Sequence, residues 1–156
     1  MRCTKRNIRI CVVLLILNVL FIWGNSLLPA NISAAFSGFV KKILEYILPI
    51  GEKNPELSHG LLRKIAHFME FASLGALSAW LYIMLPERTV FLLPCGIVVA
   101  GVDEFIQRFV PGRSASFTDV LIDSSGVLFG VCVVLILRVL VSGNNRKDKL
   151  GKKGQR

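Results

Sequence analysis

The stretch that decides the fold is 120–141, VLIDSSGVLFGVCVVLILRVLV, an apolar run broken only near its start by Asp123 and near its end by Arg138. A helix of about 20 such residues crosses a hydrocarbon layer of roughly 30 Å. Three further runs of similar character lie upstream, at about 10–28, 65–85 and 89–110. Pro86-Glu87-Arg88 and Pro111-Gly112-Arg113 read as tight turns between the later ones. The fold class expected is therefore all-α, a polytopic membrane helical bundle with four transmembrane helices. Composition agrees: 53% of the 156 residues are hydrophobic and 19% charged, and the mean hydropathy is +0.61. A soluble domain of this size needs more polar surface than that.

The net charge of +9 gathers at the two ends. Arg2, Lys5, Arg6 and Arg9 fill a basic tail over 1–9. Arg146, Lys147, Lys149, Lys152, Lys153 and Arg156 fill another over 142–156. Basic blocks that flank apolar helices are topology signals and contacts for anionic lipids, not a nucleic-acid footprint. The positive-inside rule puts both tails in the cytoplasm of a cell-membrane protein, most simply in a bacterial plasma membrane, and four spans over 10–141 satisfy that. The first run is read as an uncleaved helix, because no small-x-small cleavage site follows it. Cys3, Cys11, Cys95 and Cys132 have no paired spacing, so neither a disulfide framework nor a zinc site is indicated.

Between the first two runs the chain is mixed. Phe36, Phe39, Val40, Ile43, Leu44 and Ile47 recur at helical spacing around Lys41, Lys42 and Glu45. That pattern predicts an amphipathic interfacial helix in the first external loop. Pro49, Gly51, Asn54 and Pro55 then read as a loop that lasts to the second span.

The polar residues inside the spans carry the functional argument. Counting about 1.5 Å per residue from the outer face puts Glu70 roughly 10 Å deep. Counting outward along the third run leaves Asp103 about 8 Å short of the same face. Asp119 and Asp123 open the fourth run at that level. Three helices thus carry ionisable groups to one depth. Arg63, His67, Glu70 and Leu74 share one helical stripe, Asp103 and Gln107 another, and Asp119, Asp123, Gly126 and Gly130 a third. Gly126 and Gly130, with Gly75 and Ala79 on the second run, form small-residue faces that permit close packing.

Ionisable groups within a bilayer are costly, so they are either functional or tied into a network. The structural alternative pairs Glu70 or Asp103 with Arg63, Arg108 or Arg113. The functional one assigns catalytic roles to His67, Glu70 and Asp103. His67 would be nucleophile or acid/base, the carboxylates orienting it. Arg63, Gln107, Arg113, Asp119 and Asp123 would bind substrate, the arginines holding a phosphate. No cofactor is called for. A divalent metal among His67, Glu70, Asp103 and Asp123 is a variant, although His-x-x-Glu lacks the zincin spacing. A polar layer near one face alone gives a transporter no continuous path within one chain.

The string Arg63-Lys64-Ile65-Ala66-His67-Phe68-Met69-Glu70-Phe71 resembles the signature of the VanZ-like membrane protein family. So do Asp103-Glu104-Phe105-Ile106-Gln107, Pro111-Gly112-Arg113, and Asp119-Val120-Leu121-Ile122-Asp123 with Gly126, and the Asn25-Ser26 pair after the first run. Phe71 replaces a frequent Tyr, and Ser124 a frequent Thr. The resemblance implies a role in glycopeptide (teicoplanin) tolerance, with a membrane lipid or lipid-linked cell-wall precursor as partner. It leaves two classes open: a protein acting on phosphate-bearing lipid head groups, or a non-enzymatic envelope-organising protein. Oligomeric state is not legible.

Overall fold

A computed structural model describes residues 4–29, 55–85, 92–113 and 116–153. Among these residues there are four α-helices and no strand: α1 Lys5–Ser26, α2 Pro55–Met84, α3 Leu92–Gln107 and α4 Phe117–Lys153. The amphipathic segment read at 36–47 lies outside the described residues.

Local chemistry sets the ends. Thr4 caps α1, its hydroxyl accepting from the Asn7 N–H at 3.4 Å. Pro55, read above as part of a loop, instead occupies the first position of α2. Proline fits there because a first-turn N–H has no helical partner to lose. Toward the other end of the chain the described part of the stretch read as a basic tail, 142–153, is helical. α4 runs on to Lys153, with lysine and arginine favourable helix formers toward a negative helix C-terminus. α3 is described from Leu92 and stops at Gln107, short of the expected end near 110. It gives way after Gln107 to a turn in which the Arg113 N–H donates to the Val110 carbonyl at 3.1 Å. Gly112 holds φ 77 there, and Pro-Gly with positive φ at the second position makes this a type II turn.

The helices alternate in direction. The end of α1 meets the first half of α2 through the Asn25 amide, which donates to Glu70 at 2.7 Å. The start of α1 meets the far half of α2, where the Cys11 thiol approaches the Leu77 carbonyl at 3.6 Å. Ser26 meets Gln107 near the end of α3, and Lys64 meets Asp119 at the start of α4. The N-terminus of α1 and the C-terminus of α4 therefore lie at the same end of the bundle, opposite the polar contacts.

α2 and α4 pack most closely. A Cβ on Gly75 would run into the backbone of Val127, and one on Gly130 into the Ala72 carbonyl and the Ala76 amide. Gly126 faces the backbone of Phe68 and Ala72 in the same way. These are small-residue faces that bring two backbones together. The core beside them is modest: Ile22, Phe71, Leu74, Ala100 and Val127, with Trp23 and Val99 against it. Outward, α1 exposes Val13, Ile16, Leu20 and Phe21, and α4 exposes Phe129, Ile136 and Leu140. Apolar area on this scale is foreign to a soluble monomer. α1 and the 117–143 part of α4 are long and apolar enough to cross a membrane. Among the described residues, α2, with Arg63, Lys64, His67 and Glu70, and the described part of α3 are not among such helices.

The glycine contacts make a direct prediction. Gly130→Ala should lower the melting temperature of the purified chain, because the new methyl has no room. Gly101→Ala, with nothing within 4 Å, should be neutral or stabilising by up to about 1 kcal/mol through helix propensity. Thermal unfolding in detergent checks both, and equal effects at the two positions would remove the close-packing account.

Candidate functional site

The polar cluster forms where the end of α1, the end of α3 and the start of α4 meet the middle of α2. α2 contributes Arg63, Lys64, His67 and Glu70, α3 contributes Asp103, Glu104 and Gln107, and α4 contributes Asp119 and Asp123. At its centre are His67 (8% exposed), Asp103 (0%) and Asp123 (1%), one from each of three helices. Each offers one nitrogen or oxygen atom, and the three atoms lie within 4.8 Å of one another. The His67 Nδ1 stands 3.8 Å from the Asp103 Oδ2, too far for a hydrogen bond.

The centre is underpartnered. The His67 Nδ1, the Asp103 Oδ1 and both oxygens of Asp123 are buried without a hydrogen-bond partner. Buried polar groups are paired in the great majority of cases, and an orphan costs about 1–3 kcal/mol. Three neighbouring residues with orphaned atoms in one spot mark a place where something else belongs.

Around this centre the polar groups are well held. The Gln107 amide donates to the Asp103 Oδ2 at 2.7 Å and lies 3.3 Å from the Ser26 hydroxyl. Glu70 takes a different route from His67: its Oε1 accepts from Asn25 on α1, and its Oε2 is orphaned. One turn on, the Asn18 amide donates to the Ser73 hydroxyl, which donates to the Glu70 carbonyl, both at 2.7 Å. Glu104 accepts from the Ser116 N–H at 2.9 Å, a carboxylate placed at the start of α4 where the helix dipole favours it.

Arg113 serves the scaffold. Its Nε donates to the Leu28 carbonyl at 3.1 Å and its Nη2 to the Asn25 carbonyl at 3.0 Å, closing the C-terminal end of α1 with a cation. Only Nη1 is left without a partner. Burial, and then the nearby Arg63, pulls its pKa down from the ordinary arginine value; a guanidinium nonetheless stays charged. Arg108 is exposed. Among the described residues Lys64 with Asp119 is an ion pair and His67 with Asp103 a close approach that becomes one only with a protonated imidazole, so no arginine locks Glu70 or Asp103.

Arg63, Lys64, His67, Glu104, Gln107, Asp119 and Asp123 line a narrow cleft with room for about one water molecule or ion. The sequence reading selected most of this set. Missing from it were Lys64 and Glu104; beyond the cleft it gave no site role to Asn25 or Ser26, although these were visible as a polar pair closing an apolar run.

No curated protein and no solved structure matches the chain. A family model described as VanZ/LLP1 matches residues 11–138, from the first turns of α1 to near the end of the apolar part of α4. All the cluster residues fall inside that range, and the chain belongs to the VanZ/LLP1 family.

Proposed function

We propose that this VanZ/LLP1-family protein crosses the membrane four times and uses its polar cluster, near the outer leaflet, to take a phosphate-bearing lipid head group. The lipid is a membrane lipid or a lipid-linked cell-wall precursor, and the activity contributes to teicoplanin tolerance. One observation carries the reading: orphaned, buried polar atoms from three helices converge beside the cationic rim of Arg63 and Lys64. Anionic head groups sit at the level where a bundle end of this kind meets water. Arginine suits a phosphate through its paired donors, and lysine supplies a point charge.

In this reading Arg63 and Lys64 attract the phosphate, with the free Nη1 of Arg113 as a further donor. His67, Asp103 and Asp123 form the chemistry-bearing centre. Glu70 and Gln107 keep their neighbours in place, and Asp119 restrains Lys64. The antiparallel order of the helices supports the orientation, since it puts the two basic ends together, away from the cluster. The positive-inside rule then assigns that end to the cytoplasm.

A second reading has its own support. Asn25 with Glu70 and Ser26 with Gln107 tie α1 to α2 and α3. A polar network that only organises the bundle, in a non-enzymatic envelope protein, would make the same bonds.

Two experiments separate these readings. Single cysteines placed at positions 4 and 148 should both be shielded from a membrane-impermeant thiol reagent in intact cells, in a chain whose native cysteines are changed to Ser. Labelling of either one would overturn the orientation. At matched membrane levels, the unaltered chain should raise the teicoplanin concentration that cells survive. His67→Ala and Asp103→Asn should return it to the level of cells without the protein. Full protection by both variants would leave the cluster as scaffold alone.

A further inference from the structure

The orphaned atoms at the cluster centre are of a particular kind. His67 brings an imidazole nitrogen, and Asp103 and Asp123 bring carboxylate oxygens; one such atom from each lies within 4.8 Å of the other two. Asp123 is the telling member, because it is 1% exposed and neither oxygen has a partner. Nothing donates to it from α2, α3 or α4. Asp103 and His67 likewise stop short of bonding each other.

Formal charge leans the same way. The cluster holds Arg63, Lys64 and Arg113 against Glu70, Asp103, Glu104, Asp119 and Asp123. With His67 neutral, it is short of two positive charges. With all five carboxylates ionised such an imbalance is expensive in a setting of low dielectric, and either protons or a divalent cation would cancel it.

We propose that His67, Asp103 and Asp123 bind one divalent first-row transition-metal ion, of the Mn²⁺ or Zn²⁺ class. The donor set gives the class, since carboxylates alone favour Mg²⁺ or Ca²⁺ and an imidazole shifts preference toward transition ions. Gln107 is the positioning residue: its amide holds the Asp103 Oδ2, as outer partners of metal ligands commonly do. Three protein ligands leave coordination positions open toward the cleft. The ion's use there, polarising a phosphate oxygen, rests on the reading above; the binding of the ion does not.

The test uses the full chain in detergent, stripped with chelator and then equilibrated with MnCl₂ or ZnCl₂. Bound metal is counted after desalting, and melting temperature is recorded alongside. One ion per chain and a raised melting temperature are expected for the unaltered protein. Asp123→Asn and His67→Ala should weaken binding by more than about 100-fold, and Gln107→Ala by about 10–100-fold. Arg108→Gln, on an exposed site, should leave binding as it was. Failure of the unaltered chain to retain either ion overturns the proposal without reference to any variant's folding. So does unchanged binding by a monodisperse Asp123→Asn protein. Retention of a phosphate-bearing lipid by a chain that binds neither ion would sink the metal centre and keep the phosphate reading. Stoichiometric metal with no lipid retained by the metal-loaded chain would do the reverse.

Discussion

The approach of α2 to α4 governs everything polar in this molecule. Backbone meets backbone at Gly75 and Gly130, and at Gly126 the Phe68 and Ala72 backbone approaches with the Phe71 Cβ beside it. Asp123 lies one turn before Gly126, and His67 lies next to Phe68, whose carbonyl faces that glycine. The contact therefore brings a carboxylate and an imidazole from separate helices to the same point. Widen it by one methyl and the centre opens. The small core around Phe71 and Val127 could not restore that placement, because apolar packing is indifferent to which polar groups it brings together.

The cost of the arrangement lies in the buried polar atoms. Hydrogen bonds from Asn25, Gln107 and the Ser116 amide satisfy parts of Glu70, Asp103 and Glu104. They leave His67 and Asp123 as they are. The bundle thus spends its donors mainly on the periphery of the cluster and only the Gln107 amide on its centre. A purely structural network tends to the opposite pattern, with the innermost groups best satisfied. Arg113 shows the same division of labour, being committed to main-chain carbonyls of α1 and not to the carboxylates beside it.

Much of this was legible before any coordinates. Helical character followed from run length and from Pro-Gly punctuation. The shared level of His67, Asp103 and Asp123 followed from counting rise per residue along three runs. What the spacing could not give was azimuth between helices. His67 and Glu70 share a stripe, yet they part: one faces α3 and α4, the other α1. Where α1 sits around the bundle is encoded in packing, so the roles of Asn25 and Ser26 were beyond a reading of periodicity. Pro55 misled for a different reason. The same residue that ends a helix also starts one well, and only the chain after it decides. Arg113 was read by charge, whereas its geometry answers to unsatisfied carbonyls at a helix end.

The turn that ends α3 bears on how the cluster meets its surroundings. The helix stops at Gln107, and the Pro111-Gly112 turn leads the chain toward α4. Phe109 and Phe117, on either side of that turn, are exposed, and each ring gains by leaving water for an apolar medium. With this end of the bundle at the head-group layer, as proposed, the two rings would act as floats that hold the mouth of the cleft at one depth, and a head group would meet His67 without leaving its leaflet.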